Sequence, residues 1–124
     1  MADDLQSFLD EIRSLPPFVE LGDKFVGVFT RGLFDDTPLH VAALRGDAHI
    51  IGLLLDAGAE IDVRGEEGHT PLNEAVGQGH TEAVKLLLSR GANPNIPNDW
   101  GLTAKESARI GGKPEIQILF NDVA

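Results

Sequence analysis

Apolar residues recur along this chain at the spacing of short amphipathic helices. Near the N-terminus they fall at i, i+3, i+4 and i+7, which places them on one helix face. These residues are Leu5, Phe8, Leu9 and Ile12. We therefore predict a helix over residues 3–15, in which Asp3 and Asp4 suit the positive end of the helix dipole. Pro16-Pro17 is expected to stop it.

A six-residue motif returns at a fixed distance. Thr37-Pro38-Leu39-His40-Val41-Ala42 is followed 33 residues later by Thr70-Pro71-Leu72-Asn73-Glu74-Ala75. After 33 more it returns in altered form as Thr103-Ala104-Lys105-Glu106-Ser107-Ala108. Between residues 37–63 and 70–96, ten of 27 aligned positions are identical, where unrelated sequences would share roughly two. Self-similarity at a fixed period indicates one structural unit that is copied and stacked.

Each of the first two copies carries signals for a pair of helices. Threonine can cap the first helix, proline at its first position costs no hydrogen bond, and glycine ends it. We expect a helix from Pro38 toward Gly46, then helices over about Ala48 to Ala57, Pro71–Gln78 and Thr81–Ser89. Pro114 is expected to open the final helix of the chain.

The ends of a stacked array need covering, because each end otherwise leaves an apolar flank open. β-branched and aromatic residues concentrate in Phe25–Thr30, which predicts a short strand. We expect the N-terminal helix and this strand to cover the first copy. In the last copy Lys105 replaces the leucine of the motif, as suits a surface that no further copy covers.

Composition restricts the class of partner. The 124 residues suit one domain, and 20 acidic against 10 basic residues give a formal net charge of −10. Such a surface repels nucleic-acid phosphates and anionic membranes and attracts basic proteins. The chain has no cysteine, which excludes disulfides and thiolate zinc sites. With its acidic N-terminus and no apolar stretch of membrane-spanning length, it is expected to be cytoplasmic.

The repeated motifs resemble the ankyrin repeat family, and in particular short bacterial-type ankyrin proteins. Besides the threonine motif, the resemblance rests on Gly46-Asp47, Leu53-Leu54-Leu55 and Gly58-Ala59 with their second copies. It implies an all-α solenoid of about three repeats with short β-turn fingers and an N-terminal helix and strand as cap. The expected divisions are a cap at 1–34, repeats at 32–64 and 65–97, and a truncated repeat at 98–124.

The resemblance also implies a non-catalytic scaffold without a cofactor, monomeric when free. The family binds proteins through the finger tips and the first helix of each repeat. Carried over by register, the expected protein-binding residues are Leu33, Phe34, Asp36, Leu44, Arg45, Arg64, Glu66, Glu67, His69, Gln78, Asp99, Trp100, Leu102 and Ile110.

Trp100 has two interpretations. At a finger tip it would anchor a partner, since aromatic anchors dominate interface energetics, or it would fold back over the last repeat as part of the cap. Glu66 and Glu67 are either a solvated turn or part of an acidic row with Asp35, Asp36 and Asp99 that faces a basic patch.

Histidines raise the question of a metal or catalytic site. The resemblance gives His40 a structural role, in which it hydrogen-bonds the neighbouring turn. His69, beside Glu66 and Glu67, is the best metal candidate, but the three lack a ligand spacing pattern. We therefore predict no metal site and no catalytic residue.

The leading hypothesis is a protein-binding module. Small size, high acidity and a separate N-terminal cap suggest a stoichiometric inhibitor, such as an immunity protein that blocks a basic enzyme or toxin. The alternative is an adaptor that joins two proteins in a complex. A metal-dependent hydrolase that uses His69 is a remote third hypothesis.

Overall fold

The computed structural model describes residues 4–13, 27, 30–31 and 35–121. Within these ranges the chain forms seven α-helices and a short 3₁₀ turn at Glu66–Gly68. The helices are α1 Asp4–Ile12, α2 Pro38–Arg45, α3 Ala48–Asp56, α4 Pro71–Gly77, α5 Thr81–Ser89, α6 Ala104–Gly111 and α7 Pro114–Leu119. The predicted helices are confirmed, with ends that differ by up to three residues.

The repeated threonines begin α2, α4 and α6, as predicted. The Thr70 hydroxyl accepts the backbone N–H of Asn73 at 3.1 Å, and the Thr103 hydroxyl accepts that of Glu106 at 3.1 Å. The Glu106 carboxylate returns a contact of 3.3 Å to the Thr103 N–H, which completes a capping box. These caps satisfy donors at the first turn that have no partner within the helix.

Two helices stop where glycine adopts a left-handed conformation. Gly46 follows α2 with φ of 73°, and Gly79 occupies the same register after α4 with φ of 73°. A residue with a Cβ is strained in this conformation. The Gly46 N–H donates to the Ala43 carbonyl at 3.1 Å, which turns the chain toward α3.

The helices stack in two rows that bury one core between them. The first row consists of α2, α4 and α6, and the second consists of α1, α3, α5 and α7, each in contact with its row neighbours. Fully buried aliphatic residues come from both rows: Leu39, Leu72, Ile51, Leu54, Leu87 and Ile116. Burial of one such side chain stabilises the fold by about 1.5–3 kcal/mol, so stacking holds together helices too short to persist alone.

Helix α1 covers the N-terminal side of the stack. Its apolar face buries Phe8, Leu9 and Ile12 against the core, as the periodicity predicts. Arg45 at the end of α2 pairs with Glu11 at 2.5 Å, and its guanidinium lies 5.9 Å from the centre of the Phe8 ring. Arg45 therefore helps to hold α1 in place.

The segment that joins α1 to α2 lies mostly outside the described residues. The predicted stop at Pro16-Pro17 and most of the predicted strand at Phe25–Thr30 fall there, so both stay predictions. Two described residues of this segment are hydrogen-bonded to each other: the Thr30 N–H donates to the Gly27 carbonyl at 3.1 Å. The Gly27 N–H in turn donates to the Thr30 hydroxyl at 2.8 Å.

Candidate functional site

Short segments precede the first-row helices, and we call them finger 1 (31 and 35–36 among the described residues), finger 2 (65–69) and finger 3 (98–102). Fingers 2 and 3 share a closing hydrogen bond and the position of a glycine. The N–H of Gly65 donates to His69 O at 2.8 Å, and that of Asn98 donates to Leu102 O at 2.9 Å. The same register also repeats the left-handed glycines Gly68 and Gly101. The two loops therefore share this hydrogen bond and this glycine position, but they differ at the tip, where Glu67 has φ of 57° and Trp100 has no positive φ.

Fingers 1 and 2 are joined through the imidazole of His40. The Thr37 N–H donates to His40 Nδ1 at 3.0 Å, so the ring proton resides on Nε2, which donates to His69 O at 2.9 Å. Burial lowers the pKa of His40, partly countered by the nearby Asp36 carboxylate. The structural role that the family resemblance implies for His40 is confirmed.

Side-chain and backbone contacts add to this first junction. The Asp36 carboxylate accepts the Glu66 N–H at 2.8 Å, and the Arg31 guanidinium donates to Arg64 O at 2.7 Å. Asp36 is thus partly buried and engaged with finger 2.

Fingers 2 and 3 are joined differently. The Asp99 N–H donates to Glu67 O at 3.0 Å, and the Arg64 guanidinium donates to the Asp99 carboxylate at 3.1 Å. Asn73, which occupies the register of His40, is buried, and neither polar atom of its side chain has a hydrogen-bond partner.

Trp100 stands at the tip of finger 3. The residue is 64% exposed, yet its backbone is fixed because the Asn98 carbonyl oxygen Oδ1 accepts the N–H groups of Trp100 and Leu102 at 2.9 and 3.0 Å. The His69 ring lies 6.3 Å from the indole, centre to centre. The indole is therefore presented on a fixed loop and is not folded into the cap.

Carboxylates surround the same face. Glu74 on α4 is partly buried, and burial together with the charges of Asp36, Glu66 and Glu67 raises its pKa to about 7. The Glu67 carboxylate lies 3.6 Å from His69 Nε2. Burial and the neighbouring negative charges together favour the neutral form of the Glu74 carboxyl.

The predicted binding residues fall into two groups. The finger group contains Asp36, Arg64, Glu66, Glu67, His69, Asp99, Trp100 and Leu102, which contact one another across the fingers or lie beside residues that do. Leu44, Arg45, Gln78 and Ile110 lie at the opposite ends of the first-row helices. An eight-residue helix separates the groups by about 12 Å. Leu33 and Phe34 lie outside the described residues.

Sequence reasoning missed three residues with clear roles. Glu74 could have been found from the register, because it follows Asn73 on the helix that carries finger 2. Asn98, at the register of Gly65, organises finger 3 through its side chain. His80 Nε2 lies 2.9 Å from Leu44 O and links successive repeats.

Other chemistry finds little support in the part of the chain that is described. There, no cluster of three His, Asp or Glu side chains is arranged to hold a metal ion. The last pair of helices borders an open cavity of about 330 Å³, lined by Lys105, Glu106, Ala108, Arg109, Gln117, Phe120 and Asn121. None of the helices in the described ranges has both the length and the apolar character to cross a membrane.

Comparison with known proteins agrees with this geometry. No curated protein matches the chain. The family model of ankyrin repeats in three copies matches residues 18–98, which is more than half of the 124 residues. Ankyrin repeats are generally protein–protein interaction modules and are typically non-catalytic. Through this match and its two rows of stacked helices, the chain belongs to the ankyrin repeat family.

Proposed function

We propose that this chain is a non-catalytic module whose fingers bind a basic surface of another protein. The observation that carries the proposal is Trp100, which is exposed on a fixed loop beside several carboxylates. A cytoplasmic location, a monomeric free state and the repeat divisions at 32–64, 65–97 and 98–124 belong to the same proposal.

Exposed aromatic area supports a docking role. A tryptophan that is 64% exposed leaves a large apolar surface in water, and Leu102 on the same finger is 37% exposed. Tryptophan is among the residues that contribute most to interface energy when a partner covers them. The exposure of the indole on finger 3 therefore fits an anchor.

Charge supports a basic partner. The net charge is −10, and the carboxylates of Asp36, Glu66, Glu67 and Glu74 act on one another at the fingers. Complementary potentials speed association and suppress wrong partners.

The rigidity of the fingers supports tight binding. Fingers 1 and 2 are joined by His40 and Asp36, and fingers 2 and 3 by Arg64 and Asp99. A binding surface that is already ordered loses less conformational entropy when a partner docks.

Within this class, the narrower proposal is a stoichiometric inhibitor, such as an immunity protein for a basic enzyme or toxin. An adaptor is the second candidate, and a separate observation favours it. Ile110 and Ile118 near the C-terminal end are 71% and 64% exposed, and they could serve a second partner. An inhibitor abolishes the activity of its one partner, whereas an adaptor holds two proteins in one complex.

The experiment isolates the partner with the immobilised chain, identifies it by mass spectrometry and then measures its affinity directly. We expect Trp100→Ala to weaken binding by at least about tenfold. Ile118→Ala is the matched control because Ile118 is also 64% exposed but lies on α7, and for an inhibitor it should leave the affinity unchanged.

The charge component is tested on the same complex. Reversal of Glu66 and Glu67 to lysine should slow association and flatten its dependence on salt, since rim charges act mainly on the association rate. An unchanged rate and salt dependence would contradict the role of the acidic fingers. Unchanged affinity in Trp100→Ala would contradict the binding face itself.

A further inference from the structure

We propose that fingers 2 and 3 receive an arginine side chain of the partner, with its guanidinium against the indole of Trp100 and its charge facing the carboxylate of Glu67. This inference rests on the proposed protein-binding function and names the chemistry of the group that is bound. It follows from how Trp100, His69 and Glu67 are placed relative to one another.

The three side chains form a continuous edge. The His69 ring lies 6.3 Å from the indole of Trp100 and is tilted by 34° against it. His69 Nε2 also lies 3.6 Å from Glu67 Oε2. The backbones are also tied, because the Asp99 N–H donates to Glu67 O at 3.0 Å. An aromatic surface and a carboxylate are thus held within the reach of one long side chain.

The side chain of Trp100 is accessible to a cation. The residue is 64% exposed, and tryptophan is the aromatic side chain that attracts cations most strongly through its π system. Finger 2 carries glutamate at the register where finger 3 carries tryptophan, since Glu67 and Trp100 are 33 residues apart. Neighbouring finger tips therefore offer the two complementary halves of a cation site.

The charges around this edge favour a cation on balance. Two arginines lie close by and each is paired with a carboxylate, Arg64 with Asp99 at 3.1 Å and Arg31 with Asp35 at 3.7 Å. Glu66, Glu67 and Asp36 remain as negative groups, and together with burial they raise the pKa of Glu74 to about 7. A cation at finger 3 would therefore enter a region of negative potential.

Arginine fits this edge better than lysine. Its guanidinium is planar, stacks on aromatic rings and can pair with a carboxylate through two parallel N–H groups. The ammonium of lysine is compact and strongly hydrated, so it gains the charge interaction but not the stacking. Citrulline has a neutral side chain of similar shape, so it gains neither the cation–π interaction with the indole nor the ion pair with the carboxylate.

The test uses intrinsic fluorescence, because Trp100 is the one tryptophan and the sequence has no tyrosine. The probes are three blocked glycine pentapeptides that carry arginine, lysine or citrulline at the second and fourth positions. We expect a saturable change in Trp100 emission with the arginine peptide. Its affinity should exceed that of the lysine peptide by about threefold or more, and the citrulline peptide should give no saturable change.

Variants are measured by calorimetry, which does not depend on the indole. Trp100→Ala should abolish binding of the arginine peptide, Trp100→Phe should retain part of it, and Glu67→Gln should weaken it. Ile118→Ala, with its equal exposure on α7, should bind like the parent chain. Equal affinity for the arginine and citrulline peptides, or unchanged affinity in Trp100→Ala, would overturn the proposal.

The outcomes separate this inference from the function on which it rests. If the peptides fail to discriminate but Trp100→Ala still weakens the identified partner, protein binding stands and the arginine assignment is wrong. If the arginine peptide binds as expected while Trp100→Ala leaves the partner unaffected, the cation site is real and the partner docks elsewhere.

Discussion

The two junctions between fingers occupy the same register but are built differently. Between fingers 1 and 2, the His40 imidazole spans from the Thr37 N–H to the carbonyl of His69. Between fingers 2 and 3, the shorter Asn73 side chain stands in the same place with both polar atoms unpartnered. One repeat motif therefore gives a hydrogen-bonded bridge once and an unsatisfied buried amide once.

Residues 65 and 98 account for the difference. A Cβ on Gly65 would lie 2.8 Å from His40 Nε2 and 2.3 Å from Asp36 Oδ1, so a histidine bridge needs glycine there. Finger 3 has Asn98 at that register, and its side chain holds the N–H groups of Trp100 and Leu102. The second junction therefore lacks a histidine bridge. Asn98 occupies the position of Gly65 instead, and its side chain fixes the backbone of Trp100.

The largest expected effect on the free energy of unfolding comes from replacing residue 40 or residue 73, one in each junction, with alanine. His40→Ala removes a buried ring and leaves the Thr37 N–H and the His69 carbonyl without their partner, so we expect a loss of about 2–4 kcal/mol in the free energy of unfolding. Asn73→Ala removes two polar atoms that have no partner, and its cost should stay below about 1 kcal/mol.

Urea denaturation of the two variants checks this contrast, with Gly77→Ala as a control. Gly77 is exposed at the end of α4, and a Cβ there meets nothing within 4 Å. That control should be neutral or slightly stabilising. Equal losses for His40→Ala and Asn73→Ala would mean that the two junctions are equivalent in energy.

A smaller effect on stability is expected when the histidine and glycine of the first junction are introduced at residues 73 and 98 of the second. Asn73→His alone should destabilise the chain by about 1 kcal/mol, because the imidazole would meet the side chain of Asn98. Asn98→Gly alone should cost about 1–2 kcal/mol through the loss of two hydrogen bonds in finger 3. Together they should cost less than the sum, with a favourable coupling of about 1 kcal/mol or more.

The double-mutant cycle is read by urea denaturation, and Trp100 fluorescence reports on finger 3 in each variant. Strict additivity would show that residues 73 and 98 do not share the space that His40 and Gly65 share. In that case Asn98 in finger 3 would not be the reason why the Asn73 side chain lacks a hydrogen-bond partner.

The sequence predicted the helices well because their signals are local. The threonine caps, the prolines at first helical positions and the 33-residue spacing all act within one repeat. Trp100 was singled out for the same reason, since the register alone places it at a finger tip. Local patterns of this kind also located α1 through its apolar face.

The contacts between repeats were harder to predict, because they depend on distances across the stack. Nothing local indicates that Arg45 pairs with Glu11, or that His80 reaches the Leu44 carbonyl. The raised pKa of Glu74 on α4 likewise depends in part on Asp36, which lies in finger 1. The register could have suggested each contact, but side-chain length and burial decide which of them form.

The smallest expected effect is on the pH dependence of stability, and it belongs to the first junction. The carboxyl pKa of Glu74 is raised from 4.5 to about 7 by burial and by Asp36, Glu66 and Glu67. Between these pH values the folded state binds more protons than the unfolded state, so the contribution of Glu74 makes stability fall as the pH rises. His40 acts in the opposite sense, because its lowered pKa makes the fold lose stability as the pH falls below 6.5.

Glu74→Gln separates the two contributions. At pH 8 it removes a charge from a crowded acidic face, and we expect a gain of about 1 kcal/mol or less, since the side chain is partly exposed. Near pH 4.5 the parent carboxyl is already neutral in the fold, so the gain should vanish, while the acid-side loss due to His40 persists. Glu82→Gln, on the exposed side of α5, is the matched control for the loss of one carboxylate. A gain of equal size at pH 8 and pH 4.5 would mean that neither burial nor the acidic fingers raise the pKa of Glu74 in the fold.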